Sequence, residues 1–445
     1  MEIVLFIPGI LGSKLSLPDG EEVWPPTPIE ALTGYQRIDK LLSDRLTPTG
    51  IVEKVCIDVY GSALDALEAF GYTEGGAQRR LVKYAYDWRR DLAALSDELG
   101  LELKTLVQAH GPDLEIKLVC HSMGGLVARA WLEGSALAQE PWAKAVSLAI
   151  FLATPHEGAP LSFSRAIGVG GSSLGLSAKQ LRQLAEAPGY PAAYQLFPPA
   201  NLQPLWSLDS AMPFKGVSLF DPAVAATFGL NRQHLAATTA FHARLDPSRR
   251  PATCRYFAVV SAAHETVTKL DQDHGEAVPV TVKSSGDGTV PVQSATALRV
   301  QTAYVEANHL GVAQKPLTHK LVGMLLGALL VEPLPLTFDG DPSSGEVAMN
   351  LSISEPSVAT GEAYEIVVTT TPQDSIDVRV RIAKETRDGW ADISDIPIVA
   401  RSTGVERISI QGPLLEVGHY EFVLAGEDGT EFDRQELLVT GRDDG

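Results

Sequence analysis

A chain of 445 residues is too long for one ordinary domain and points to two or three. Its 45% hydrophobic and 20% charged residues exclude global disorder. A net charge of −19 lacks the basic footprint of a nucleic-acid binder, so no nucleic-acid partner is expected. Cys56, Cys120 and Cys254 are an odd, sparse set, and Met1-Glu2 runs into an apolar stretch with no basic leader. Both features predict reduced thiols and a cytoplasmic setting. The longest apolar run, Leu321–Val331, falls short of the ~20 residues a membrane-spanning helix needs.

Strands are predicted at Glu2–Ile7, Leu81–Tyr86, Glu115–Cys120 and Ala145–Ala153, with helices at Ala63–Phe70, Arg90–Gln108 and Met123–Leu137 between them. Continuous apolar strands alternating with helices imply a mostly parallel sheet covered on both faces. Residues 155–250 break that rhythm. They are rich in Gly, Pro, Ser and Ala and scatter Phe163, Phe197, Trp206, Phe214, Phe220 and Phe228, so they are expected to cap the sheet's carboxyl edge. Strands at Arg255–Ser261 and Arg299–Val305 and a helix at Leu317–Val331 would complete the first domain, residues 1–335. Beyond Pro333-Leu334-Pro335, polar and apolar residues alternate in runs such as Ile376, Val378, Val380 and Ile382. About seven short strands with turns between them predict an Ig-like β-sandwich over residues 336–445.

The sharpest motif is Cys120-His121-Ser122-Met123-Gly124-Gly125, which follows a strand and opens a helix. A turn that tight exposes its central serine and requires small neighbours two residues away on either side. Gly124 meets the requirement, and Cys120 stands where glycine is usual. A serine nucleophile needs a base and a group that orients it, here in the order Ser, acid, His. Asp287, between Gly286 and Gly288, supplies the acid. His309, after the strand Arg299–Val305, supplies the imidazole. The loop Pro8-Gly9-Ile10-Leu11-Gly12-Ser13 would turn the Ile10 amide toward an oxyanion, beside the amide of Met123. Leu11, His156, Trp206 and Phe197 are assigned to the substrate site. His121 is expected to pack against the turn, His319 to be solvated, and Asp87-Trp88-Arg89 to form an internal ion pair and packing unit. The stretch Asp271–Glu276 reads as a solvated loop without the spacing of a calcium site.

These motifs together define an α/β-hydrolase fold with a cap insertion. Pro8–Ser13, Tyr86-Asp87-Trp88-Arg89, His121–Gly125 and Gly286–Pro291, with His309 after them, resemble the lecithin:cholesterol acyltransferase family over roughly residues 1–330. Tyr194–Pro199 is similar to the cap of those enzymes. The resemblance implies acyl transfer from a phospholipid or neutral lipid to water or a hydroxyl acceptor, without metal or organic cofactor. Ser122, Asp287 and His309 match its triad, and Ile10 and Met123 its oxyanion amides. Cys56 lacks a partner for the lid disulfide of the secretory members, and the β-sandwich lies outside the family pattern. The sequence therefore predicts a serine hydrolase or acyltransferase of lipid esters making transient membrane-surface contact. The alternatives are a carboxylesterase for small soluble esters, or a non-catalytic scaffold using its Ig-like domain. That domain is expected to meet a protein partner or to regulate the enzyme.

Overall fold

The computed structural model describes residues 1–207, 215–273, 276–328, 349–387 and 389–441. The expected domain boundary at residues 335/336 lies outside them. Six strands, β1 (Glu2–Ile7), β2 (Arg79–Lys83), β3 (Glu115–His121), β4 (Val146–Leu152), β5 (Arg255–Val260) and β6 (Gln301–Tyr304), form one sheet. Their order is β6-β5-β4-β3-β1-β2, and every pairing is parallel. The inner strands β1, β3 and β4 are buried almost throughout, as a sheet covered on both faces requires.

The covering helices follow from their apolar spacing. Leu92–His110 presents Leu92, Leu95, Leu99, Leu103 and Leu106 as one buried stripe, and Asp91 caps it by accepting from the Ala93 amide. Met123–Gly134 is buried on all sides, and its Arg129 and Glu133 are paired at 2.9 Å inside the core. Expected and observed bounds differ mainly at ends. β2 begins at Arg79 and stops at Lys83, because Tyr86 turns out of the sheet to donate to the Pro8 carbonyl at 2.7 Å. The last helix runs Pro316–Leu325 rather than to Val331; its following turn includes Gly327 at positive φ, and residues 329–331 are not described.

Register aligns the carboxyl ends of the strands into one rim. Ile7 pairs with Cys120, His121 with Leu152, Leu152 with Val259, and Val260 with Tyr304. The loops at residues 8–13, 122, 153–158 and 305–309 all leave that rim, where open α/β sheets place their ligands. The described residues between 155 and 250 cover it with short helices whose core joins Phe163, Tyr194 and Phe197. One part of the cover was not expected. His264–Asp273 and Glu276–Gly286 form an antiparallel pair that joins Leu205–Ser207 and Lys215–Val217 in a four-stranded sheet, so Asp271–Asp273 and Glu276, read as part of a loop, lie in its strands.

The C-terminal region is all β, with a separate core of Leu351, Ile366, Val380, Phe422, Leu437 and their neighbours. It has six described strands rather than about seven short ones, and two of them are long, Glu365–Thr386 and Gly389–Gln411. The first half of Glu365–Thr386 pairs with Met349–Ile353 and its second half with Gly418–Gly426. Register shifts between Thr369 and Ser375 separate the halves. No helix among the described residues is long and apolar enough to cross a membrane.

Candidate active site

Ser122 sits where β3 turns into the helix Met123–Gly134, at φ 52° and ψ −125°. A positive φ strains a residue with a side chain, and it persists here because the surroundings over-determine it. The Ser122 amide donates to the Leu152 carbonyl at 2.8 Å, which ties the turn to β4. On the other side the first loop presses in. A Cβ on Gly124 would lie 2.4 Å from the Pro8 carbonyl oxygen, and one on Gly9 would lie 2.9 Å from the Ser122 Cβ. Glycine at both positions is what allows the loop to touch the turn.

Asp287 and His309 arrive from the loops after the strand Glu276–Gly286 and after β6. Ser122 Oγ lies 2.8 Å from His309 Nε2, and His309 Nδ1 lies 2.8 Å from Asp287 Oδ2. The other Asp287 oxygen accepts from the amides of Thr289 at 2.9 Å and Val290 at 2.7 Å, so the carboxylate is held at both ends. Asp287 is buried, and the Gly288 amide is braced by Thr266 of the strand His264–Asp273 at 2.9 Å.

A second chain of hydrogen bonds joins three loops behind these residues. The Gly9 amide donates to the Tyr60 hydroxyl at 2.9 Å, and that hydroxyl lies 2.7 Å from His121 Nδ1. His121 Nε2 lies 2.9 Å from the carbonyl oxygen of His309. Burial first, and the neighbouring His309 second, push the His121 pKa down to about 3. A neutral imidazole has one donor and one acceptor, so Nε2–H donates to His309 and Nδ1 accepts from Tyr60. His121 therefore orients the turn, as its position suggested; Tyr60, its partner, was not foreseen. No local motif marks it.

An apolar cavity of about 170 Å³ opens beside Ser122 and His309, walled by Leu11, Leu174, Leu181, Leu184 and Leu196. Ile10 also lines it, while Met123 is fully buried behind the serine. Neither the Ile10 nor the Met123 amide donates a hydrogen bond to a described group of the protein. Two expected substrate residues are corrected. Phe197 is not on the cavity wall; it is fully buried in the cap, 4.7 Å from the Tyr194 ring and 5.5 Å from that of Phe163. His156 also faces away, against Phe151 and beside Arg129; burial first, and the Arg129 charge second, hold its pKa well below the usual value. The side chains of Trp206 and Phe214 lie outside the described residues. His319 is not solvated; its Nε2 lies 2.9 Å from the Ala313 carbonyl oxygen in a half-buried position. Asp87 and Arg89 do form a buried pair at 2.7 Å, and Arg89 also reaches the cavity wall.

The β-sandwich meets the site directly. Asn308, next to His309, donates from Nδ2 to the Ile353 carbonyl at 2.8 Å and accepts from the Gly311 amide at 2.7 Å. Lys315 donates to the Leu351 carbonyl at 2.9 Å and pairs with Asp433 at 2.5 Å. His264 Nε2 lies 2.6 Å from the Ser352 hydroxyl. Glu355 and Pro356, the next residues of the sandwich, complete the cavity wall.

Residues 25–215 match the family model of lecithin:cholesterol acyltransferase. That stretch holds Tyr86–Arg89 and Ser122, and it stops short of Asp287 and His309. A crystal structure of the Tle4–Tli4 complex aligns with a TM-score of 0.52 at 15% identity, covering 74% of this chain and 99% of that one. At that identity the likeness shows the fold. The mature form of the Bacillus licheniformis lipase BlEst2 aligns more loosely, with a TM-score of 0.35 at 14% identity over 73% of this chain and 91% of that one. No curated protein matches the chain. The fold is that of the α/β-hydrolases, and the chain is similar to the lecithin:cholesterol acyltransferase family over the matched stretch.

Proposed function

We propose that this chain, with its lecithin:cholesterol acyltransferase-like segment, is a serine acyl hydrolase or acyltransferase of lipid esters, phospholipids or acylglycerols. One observation carries the reading. Three side chains distant in sequence are joined in line by two 2.8 Å hydrogen bonds at the mouth of an apolar cavity. His309 Nε2 takes the Ser122 proton as Oγ attacks the ester carbonyl carbon. Asp287 holds the Nδ1–H tautomer and stabilises the imidazolium. The amides of Ile10 and Met123 receive the negative charge that develops on the carbonyl oxygen. His309 then returns its proton to the departing alcohol oxygen as the C–O bond breaks, leaving the acyl group on Ser122. Water or a second alcohol, deprotonated by the same imidazole, releases it.

The apolar lining suits an acyl chain, and the cap closes over it. A cavity of about 170 Å³ is smaller than the ~300–1,000 Å³ common for ligand pockets, which favours a carboxylesterase for short esters as the second reading. Acyl-chain length separates the two. The enzyme is incubated with phospholipid and acylglycerol vesicles and with nitrophenyl esters of rising length, and released acyl products are measured by mass spectrometry. Release of long-chain products by the wild type and its loss in Ser122→Ala supports the lipid reading. Turnover confined to short esters leaves the second reading, and equal turnover by Ser122→Ala removes both.

A further inference from the structure

Asp287 and His309 stand on two separate loops, and one short segment of the C-terminal β region touches both. The strand Met349–Ile353 lies at the end of its sheet and, among the described residues, pairs on one side only, with Glu365–Thr386. The outer edge of such a strand leaves the backbone groups of every second residue without a neighbouring strand. Here those residues are Leu351 and Ile353, and side chains take the neighbour's place. Asn308 Nδ2 donates to the Ile353 carbonyl at 2.8 Å, and Lys315 Nζ donates to the Leu351 carbonyl at 2.9 Å. The Leu351 amide donates to Asp433 Oδ2 at 2.8 Å, and that same oxygen pairs with Lys315.

The next residue, Ser354, meets the acid loop. Its amide donates to the Glu365 carbonyl and its hydroxyl accepts from the Glu365 amide, each at 2.9 Å, so its own carbonyl is fixed in place. A Cβ on Gly288 would lie 2.7 Å from that carbonyl oxygen. Gly288 adjoins Asp287, as Asn308 adjoins His309. The short stretch Leu351–Ser354 therefore reaches from the base loop to the acid loop.

On the base side the contacts are buried and directional. Asn308 is 4% exposed and Lys315 is 6% exposed. Asn308 Oδ1 accepts from the Gly311 amide at 2.7 Å, and the Lys315 amide donates to the Gly311 carbonyl at 2.9 Å, which ties residues 308–315 into one unit. With the strand withdrawn, a buried carboxamide and a buried ammonium would lose their acceptors, or the loop would turn to reach water. The loop avoids that cost in the conformation that also sets His309 between Asp287 and Ser122.

We propose that the strand Met349–Ile353, with Ser354, is a template that sets the separation of Asp287 and His309, and that Asn308 is a positioning residue for the base. The C-terminal β region thereby shapes the catalytic geometry without contributing a reacting group. The proposal rests on the acyl-hydrolase reading of Ser122.

The test uses the full chain and its variants Asn308→Ala and Asp433→Asn, with nitrophenyl-ester kinetics and fluorophosphonate labelling followed by mass spectrometry. The end point of labelling counts correctly folded chains, and its rate reports how well Ser122 is activated. A residue that only supports folding changes the end point and leaves the rate as it is in the wild type. Asn308→Ala is expected to reach complete labelling about tenfold more slowly, with kcat lowered about tenfold and KM within twofold. Asp433→Asn keeps the shape of the side chain and gives up its charge on Lys315. A slowing of about fivefold at a complete end point is expected, and this variant decides the matter if Asn308→Ala is insoluble. A labelling rate within twofold of wild type in the deciding variant, whatever its end point, overturns the proposal. If the wild type cleaves nitrophenyl esters and that variant matches its rate, only the template falls; if the wild type neither cleaves an ester nor takes the label, the underlying reading falls with it.

Discussion

Replacing Tyr60 by Phe removes one oxygen and nothing else. The ring stays edge-on to Phe6, with centroids 5.2 Å apart, so the core around it is unchanged. What is lost is the junction between the first loop and the serine turn. The Gly9 amide, 2.9 Å from the hydroxyl, and His121 Nδ1, 2.7 Å from it, are both left without that partner inside a fully buried site. An unsatisfied buried polar group costs about 1–3 kcal/mol, so two of them predict a loss of roughly 2–6 kcal/mol. Activity falls as well. Gly9 anchors the loop that carries Ile10, and His121 holds the His309 carbonyl at 2.9 Å. A misplacement of about 1 Å in such a site costs up to ~100-fold, and a fall in kcat of about 10–100-fold with little change in KM is expected. Denaturant unfolding gives the stability change as a lower midpoint at constant slope, and nitrophenyl-ester kinetics give the split between kcat and KM. An unshifted midpoint together with kcat within twofold of wild type would refute the idea that this hydrogen-bond chain holds the site.

Other expectations follow from the same geometry. Asp287→Asn keeps a side chain of the same shape but can present an N–H to His309 Nδ1, so kcat is expected to drop about 10⁴-fold while a thermal melt barely moves; a drop under tenfold would count against the assigned role. In Gly124→Ala the added methyl would meet the Pro8 and Ile7 carbonyl oxygens at 2.4 and 2.6 Å, which are backbone atoms that cannot swing aside. A destabilisation of about 3 kcal/mol or more, or insoluble protein, is expected, against full solubility if the loop can retreat. Glu355 has a pKa raised by burial from 4.5 to about 7, so between those values the folded state holds a proton that the unfolded chain has lost. Wild-type stability therefore falls as pH rises through that window, and Glu355→Gln does not share the loss. The variant gains about 1–3 kcal/mol over wild type by about pH 8, the lower figure allowing for partial exposure, and a gap independent of pH would contradict it.

What could be read from the sequence was local. The inner strands are short continuous apolar runs, and the serine turn carries its own small residues at Gly124 and Gly125. Asp287 and His309 were singled out because each sits in a loop at a carboxyl end in the order the fold imposes. The misreadings have a common cause. Phe197 carries the same composition signal whether its ring lines a ligand cavity or fills the cap, and only its contacts with Tyr194 and Phe163 decide. The antiparallel pair His264–Asp273 and Glu276–Gly286 was hidden because its Glu276–Gly286 strand is mostly exposed and interrupted by bulges, so it shows no clean alternation. Most of all, the approach of Asn308 and Lys315 to the C-terminal β region, and of Glu355 to the cavity, is tertiary, and no periodicity announces it. A tail that looked like an accessory unit forms part of the cavity wall.

The central claim is that Ser122 is a nucleophile activated by His309. Mass spectrometry of the chain after exposure to a fluorophosphonate tests it most directly. A single phosphonyl adduct on the peptide containing Ser122, absent from Ser122→Ala and strongly slowed in His309→Gln, is the predicted result. An unmodified chain, or an adduct on another residue that persists in Ser122→Ala, would contradict it.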